Sequence, residues 1–205
     1  MQQASVTCPH CKAENHHTLV PFLDLGKHPK QKLALLTDSH FTVTCPHCNK
    51  QYTVLHELLV VDTTNQFALL LLPQTEQEEV EAETPEYASW FLRLVSNTTE
   101  LKEKLLILEA NLDDRTIELC KLYLTLSLED QDVQLYFAGI LEEEKKLQFS
   151  ILSQTGSVEG GITCELPLYQ QLLGTTTEHF GLREGVFSLV NQNWAYQRIR
   201  NNADQ

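Results

Sequence analysis

No apolar run in this chain is longer than six residues, the longest being Phe67–Leu72. A bilayer-spanning helix needs about 20 such residues, so a membrane partner is not expected. The opening stretch MQQASVTCPH holds no basic residue and no apolar core, which is not how a secretory leader begins; a C-terminal lipidation signal is also missing. These absences lead to the expectation of a cytosolic protein. Also missing are a phosphate-cradling glycine loop, a nucleophile elbow and a His-Glu-x-x-His pair, so no familiar catalytic motif is present. Arginine is absent from residues 1–73, where Lys12, Lys27, Lys30, Lys32 and Lys50 are the only fixed cations.

Charge is unevenly spread over the 205 residues. The five lysines of residues 1–73 meet five acids, and the entire formal charge of −13 falls on residues 74–205. Phosphate neutralisation supplies most nucleic-acid affinity, so an acidic body of this kind is a poor nucleic-acid binder and suits protein or small-molecule partners better. Nothing in the sequence fixes the oligomeric state.

What the chain does contain is a repeat. Val6-Thr7-Cys8-Pro9-His10-Cys11 returns letter for letter at Val43-Thr44-Cys45-Pro46-His47-Cys48, 37 positions on. Cytosolic cysteines are more often ligands or buried thiols than disulfides. Each Cys-X-X-Cys hook places two thiolates on one side of a tight turn, and two facing hooks give four sulfurs, the donor set of a closed tetrahedral Zn²⁺ site. The 33 residues between the hooks exceed the ~15–20 of ribbon-type sites. Doubling a loop costs only about 0.6 kcal/mol, against roughly 10–16 kcal/mol from a structural zinc. The expected metal ligands are therefore Cys8, Cys11, Cys45 and Cys48. Four sulfurs leave no place for water, so the site is expected to be structural.

Two rivals stand beside this reading. The first is a cytosolic thiol–disulfide oxidoreductase using Cys-Pro-His-Cys, the active tetrapeptide of strongly oxidising thioredoxin-like proteins; there the first cysteine opens a helix, which lowers its pKa, and neither hook here is followed by a convincing helix. The second is a zinc-ribbon nucleic-acid binder, which the few lysines of residues 1–73 do not favour. His10, His47, His16 and His17 are the remaining candidate ligands, with His10 and His47 expected to point outward. Lys12 and Asn49 follow the second cysteine of each hook, where a left-handed residue is useful; Asn adopts that conformation more readily than Lys.

Elsewhere the bland readings prevail. Cys120, on the apolar stripe of a predicted helix, and Cys164, in a predicted strand, read as small buried hydrophobes. Asp113-Asp114-Arg115 reads as a helix cap, and Trp90 and Trp194 as packing residues. An enzyme assembled from distant residues such as His179, Glu184 and Asp114 would need a pocket to gather them.

The predicted fold class is α+β: a small zinc-ribbon-like β module with two Cys-X-X-Cys knuckles at 1–73, an acidic linker or loop at 74–86, and an acidic α/β body at 87–205. Strands are expected at His17–Leu23, Phe41–Thr44, Gln51–His56, Leu58–Asp62 and Gln66–Leu72, with a short helix from Pro29 to Leu36. Trp90–Val95 is a further strand, and a helix pair at about 98–127 opens on an Asn97–Glu100 capping box and on Asp113 or Asp114. Val133–Phe137, Leu147–Leu152, Ile162–Glu165 and Val186–Val190 complete the strands. A short helix runs from Pro167 to a closing Gly174, Thr175–Gly185 reads as loop, and 193–199 is ambiguous.

The two Cys-Pro-His-Cys hooks, the β-rich stretch to Leu72-Pro73 and the segment ELKEKLLILEANLDDRTIELCKL at 100–122 together resemble the CpXC-domain family of bacterial and archaeal proteins over roughly residues 5–125; NQNWA at 191–195 resembles the ending of longer relatives. The resemblance implies metal binding through the four cysteines and no established activity. The duplicated hook and the absence of a catalytic constellation lead to the expectation of a non-catalytic module for protein interaction or regulation.

Overall fold

The computed structural model describes residues 2–128, 133–153 and 156–203. Along the chain come β1 (Gln2–Thr7), β2 (Glu14–Leu19), β3 (Phe22–Asp24), α1 (Gln31–Leu36), β4 (Thr42–Thr44), β5 (Gln51–Thr53), β6 (Leu58–Asp62), β7 (Phe67–Leu71) and β8 (Glu79–Glu81). After a single 3-10 turn at Pro85–Tyr87 follow β9 (Phe91–Val95), α2 (Thr98–Glu109), α3 (Asp114–Leu126), β10 (Gln134–Leu141), β11 (Lys146–Leu152), β12 (Val158–Glu165), α4 (Leu166–His179), β13 (Val186–Leu189) and α5 (Gln192–Ala203). The fold is α+β.

Two compact units emerge, residues 1–101 with 184–188, and residues 102–183 with 189–205. The division falls inside α2, not in the acidic segment 74–86. The reason is strand pairing. β9 runs parallel to β7, from Phe67 opposite Phe91 to Leu71 opposite Val95. Within the acidic segment, Glu79–Glu81 forms β8 and pairs antiparallel with β13. Both stretches thus belong to the six-stranded sheet of the first unit, ordered β3-β6-β7-β9-β13-β8. Its central strands are near-continuous apolar runs, LLVVD and FALLL, with Leu58, Val60, Leu69 and Leu71 fully buried, as strands covered on both faces require.

Two further pairs, β1–β2 and β4–β5, are separate antiparallel hairpins. The expected strand His17–Leu23 is broken around Pro21 into β2 and β3. β1, whose sequence QQASVT has only Ala4 and Val6 as alternating apolar residues, was not expected at all.

In the second unit a three-stranded antiparallel sheet, β10-β11-β12, packs on α3 and α4 around Ile117, Cys120, Phe137, Leu147, Phe149 and Cys164. Both extra cysteines are buried here, as their patterning implied. Asp113 caps α3 by accepting from the backbone N–H groups of Arg115 and Thr116, and the Asn97 side chain accepts from Glu100 N at 2.9 Å to open α2. Two expectations fail. α4 runs straight through Gly174 to His179, so residues 175–179 are helix and not loop. Its inward stripe explains this, because Thr176 is buried, donates its hydroxyl to Leu172 O within α4 and accepts from the Thr116 hydroxyl of α3. The ambiguous 193–199 stretch is helical, within α5.

Between the helices of the pair lies a buried ion network. Lys104 contacts Asp114 at 2.9 Å and Glu118 at 3.3 Å, while Lys121 contacts Glu103 at 3.0 Å and Glu118 at 2.8 Å. Asp114, which looked like a cap residue or a catalytic acid, is spent on Lys104. Glu103 also accepts the backbone N–H of Phe137 in β10 at 2.6 Å. Burial pushes the Glu118 carboxyl above its ordinary range, against the pull of Lys121 and Lys104. Removing one partner from such a network leaves an uncompensated charge. Glu103→Ala is therefore expected to destabilise the second unit by on the order of 3 kcal/mol, and Glu103→Gln, which keeps an acceptor for Phe137, by less; urea unfolding followed by near-ultraviolet circular dichroism measures both.

In the first unit, the rings of His40 and His56 lie 5.7 Å apart, with Phe41 edge-on to each. Burial, then the neighbouring His56, holds His40 below its ordinary pKa near 6.5. A base that binds its proton less well in the folded than in the unfolded state contributes full stability above the unfolded pKa and loses it as pH falls through the folded one. The melting temperature of the wild type is thus expected to fall between pH 7 and pH 5 by more than that of His40→Gln, read by calorimetry at each pH.

Candidate metal centre

Each hook sits at the tip of a hairpin, and the two tips are built alike. In the first, Thr7 pairs with Glu14 across the turn; in the second, Thr44 pairs with Gln51. Cys8 N donates to Ala13 O at 2.9 Å and Lys12 N to Cys8 O at 3.0 Å. Thirty-seven residues on, Cys45 N donates to Lys50 O and Asn49 N to Cys45 O, both at 2.9 Å. Lys12 and Asn49 both take the left-handed conformation, at φ 64° and 56°. That costs a lysine about 1–2 kcal/mol and an asparagine less; the repeat keeps the turn although its first copy lacks the residue best suited to it.

The hooks face each other. Cys8 Sγ lies 3.8 Å from Cys48 Sγ, and Cys11 Sγ lies 3.6 Å from Cys45 Sγ. All four sulfurs fall within 4.8 Å of one another, and the group could hold a metal ion. Four thiolates at about 2.3 Å from a common centre stand about 3.8 Å apart along each edge of the tetrahedron. The observed cross-hook distances are of that size. Cys8 and Cys45 are buried, Cys48 is half-buried and Cys11 is exposed. Neither hook opens a helix, since residues 8–13 and 45–50 form turns between strands; the helix-terminus field that activates a redox thiol is therefore lacking.

The surroundings of the sulfurs are not symmetric. Burial opposes a charge on Cys45, yet the backbone N–H groups of Cys48 and His47 and the thiols of Cys11 and Cys48 draw it down to about 6. At Cys11 the backbone of Ala13 favours the thiolate, but burial and the other three cysteines push it up to about 12. Four thiols this close resist ionising together, and a bound cation is what lets them share negative charge. Asn15, buried on β2, directs Nδ2 toward Cys45 Sγ at 3.7 Å and to Tyr52 Oη at 3.4 Å. His17 Nε2 lies 2.6 Å from the same Tyr52 oxygen.

Among the described residues, the grouped donors are the four cysteines alone, without histidine. His10 and His16 are exposed, and His10 Nε2 reaches Gln51 O of the opposite hairpin at 3.2 Å. His47 is exposed as well. Asn15, Tyr52 and His17 are the residues the sequence reading missed as neighbours of the site. The signal was available in the repeat itself, because Asn15 and Tyr52 are 37 apart and hold the same place in the two hairpins. Of the distant candidates, His179 is exposed beside Glu178 at 3.6 Å. No helix among the described residues is long and apolar enough to cross a membrane.

Comparison with known proteins gives one match. The family model described as CpXC protein matches residues 6–121, which include both hairpin tips, α2 and most of α3. No curated protein and no solved structure matches the chain.

An amide beside a metal-bound sulfur orients and polarises it, and losing such a neighbour typically costs 10–100-fold in metal affinity. Asn15→Leu is expected to weaken metal binding about tenfold with the circular dichroism spectrum unchanged; competition with a chromophoric chelator provides the measurement.

Proposed function

The chain belongs to the CpXC family, and we propose that it is a structural-zinc protein whose four-cysteine site serves binding or regulation rather than catalysis. The observation that carries this reading is the pair of cross-hook distances, 3.6 and 3.8 Å, on an all-sulfur donor set that suits Zn²⁺. Cys8, Cys11, Cys45 and Cys48 would hold the ion. When bound it supplies Coulombic compensation for the thiolates and a cross-link between the two hairpins. A shell filled by four protein sulfurs offers no position to water or substrate, which is why we assign no reaction to it.

The packing around the site supports a structural role. The buried core of the hairpins is Cys8, Cys45, Tyr52 and Val54, with Val6, Leu19, Val43 and Cys48 partly buried against it. A two-stranded hairpin is at best marginally stable in water, and small metallo-domains of this kind draw their folding free energy from the metal. The partner class we assign is protein, since a net charge of −13 opposes phosphate backbones. A reducing compartment such as the cytosol would keep the four thiols free to bind.

Protein purified without added metal is expected to carry about one zinc per chain by plasma emission spectrometry. Cys45→Ser is expected to lose it, together with the hairpin signals in an amide NMR spectrum. Metal-free protein holding a reducible Cys8–Cys11 disulfide, with insulin-reducing activity that Cys8→Ser removes, would overturn the reading in favour of thiol–disulfide exchange.

A further inference from the structure

The second unit carries an apolar pocket of about 330 Å³, set among α3, α4 and α5. Its inner wall includes the buried side chains of Leu119 and Phe180, and Tyr123, Leu126, Tyr196 and Ile199 stand at its mouth. Those four are exposed by 54%, 67%, 55% and 44%. They are four of the nine exposed large hydrophobics among the described residues, gathered at one place. Scattered exposed apolar side chains need no explanation, but a contiguous group around a cavity does.

Charge says what kind of ligand fits. Among the described residues the acids of α3 are engaged, α4 has one exposed acid and α5 has none. Asp114 and Glu118 on α3 are buried against lysines, Glu178 on α4 lies beside His179, and α5 has no acid at all. α5 does carry two arginines in a chain of net charge −13. Arg198 stacks on Trp194 at 5.8 Å. Arg200 is exposed one turn beyond Tyr196 and next to Ile199, which places it on the mouth side of the helix. Size excludes a large partner. Four half-exposed side chains offer on the order of a few hundred Å², short of the ~800 Å² per partner of a standard protein interface, whereas 330 Å³ lies within the range of small-molecule sites.

We propose that this pocket binds a single-chain anionic amphiphile, a free fatty acid, with its hydrocarbon tail among the leucines and Phe180 and its carboxylate at Arg200 and the Tyr123 and Tyr196 hydroxyls. This is independent of the metal centre. The free acid is the source we commit to, because a membrane-held lipid would need an apolar face broader than this mouth.

The test is calorimetric titration of the full chain with octanoate, decanoate and dodecanoate below their micelle concentrations, in parallel with fluorescence of Trp194 in the Trp90→Phe variant; Trp194 packs on Phe180. Expected is saturable binding of one molecule per chain, tightening about fourfold per methylene until the pocket is full. Thr175→Trp, at an exposed position that lines the pocket, is expected to weaken it at least tenfold without unfolding the chain. Arg200→Gln is expected to weaken dodecanoate several-fold and to leave dodecanol unchanged. Absence of saturable binding, affinity indifferent to tail length, or an unaffected Thr175→Trp would each overturn the proposal. So would concentration-dependent self-association that Thr175→Trp abolishes, since the pocket would then belong to a contact between copies.

Discussion

Four sulfurs held within 4.8 Å of one another are the constraint around which the first unit is arranged. Ionised thiols repel at that distance, and the hairpins that carry them bury too little apolar surface to hold them together unaided. A cation at their centre would turn that repulsion into attraction. The chain between the hooks makes the convergence affordable. It leaves the first hairpin, lays β3 parallel to β6 in the large sheet, forms α1 with Leu35 fully buried, and returns to β4. The intervening 33 residues are thus fixed by the sheet and by α1, so little of their closure entropy falls on the metal site.

The second unit gathers charge in its core by a different means. Glu103, Lys104, Asp114, Glu118 and Lys121 are as buried as any leucine around them. Three carboxylates face two ammonium groups, and burial raises the Glu118 carboxyl above its ordinary range against the pull of both lysines. Apolar residues of similar volume would often serve stability as well. What the ions add is register, because Glu103 ties α2 both to Lys121 on α3 and to the backbone of β10. Each unit therefore has a polar centre whose partners are few and directional, enclosed by a core that is neither.

The sequence announces features that are local and chemically distinctive. A duplicated hook, Asn97 at one helix start and Asp113 at the next each place a specific group within a few residues of its partner, and each is found as read; of the Asn97–Glu100 capping box, the Glu100 carboxylate goes instead to Ser96 N. The failures have a common cause. Gly174 looks like a helix stop, but the contact that keeps α4 going, Thr116 to Thr176, spans 60 residues. β1 offers only Ala4 and Val6 as an apolar alternation, too short a signal to reveal it, although Val6 packs against the hairpin core. The acidic segment reads as a linker because β8 is only three residues long and its partner lies over a hundred residues away. The pocket on α3, α4 and α5 has no sequence signature, since its walls come from three separate helices. The family match over residues 6–121 stops short of most of this unit.

The repeat also separates two kinds of information. Residues identical in the two hooks set the backbone. The same pair of hydrogen bonds closes each turn, and the same left-handed residue follows it even though Lys stands in one copy and Asn in the other. Residues that differ set the side-chain contacts between the hairpins. At one place in the hairpin the first copy has Asn15 and the second has Tyr52. An amide can donate to a sulfur and to a phenol at once, and Asn15 approaches both Cys45 and Tyr52. Two asparagines would have supplied an amide from each hairpin. With tyrosine in the second copy, the phenol oxygen receives Asn15 and lies 2.6 Å from His17 Nε2, both on the first hairpin. The single exchanged position thus links the two hairpins beside the sulfurs, a contact that two identical copies would not have made in the same way.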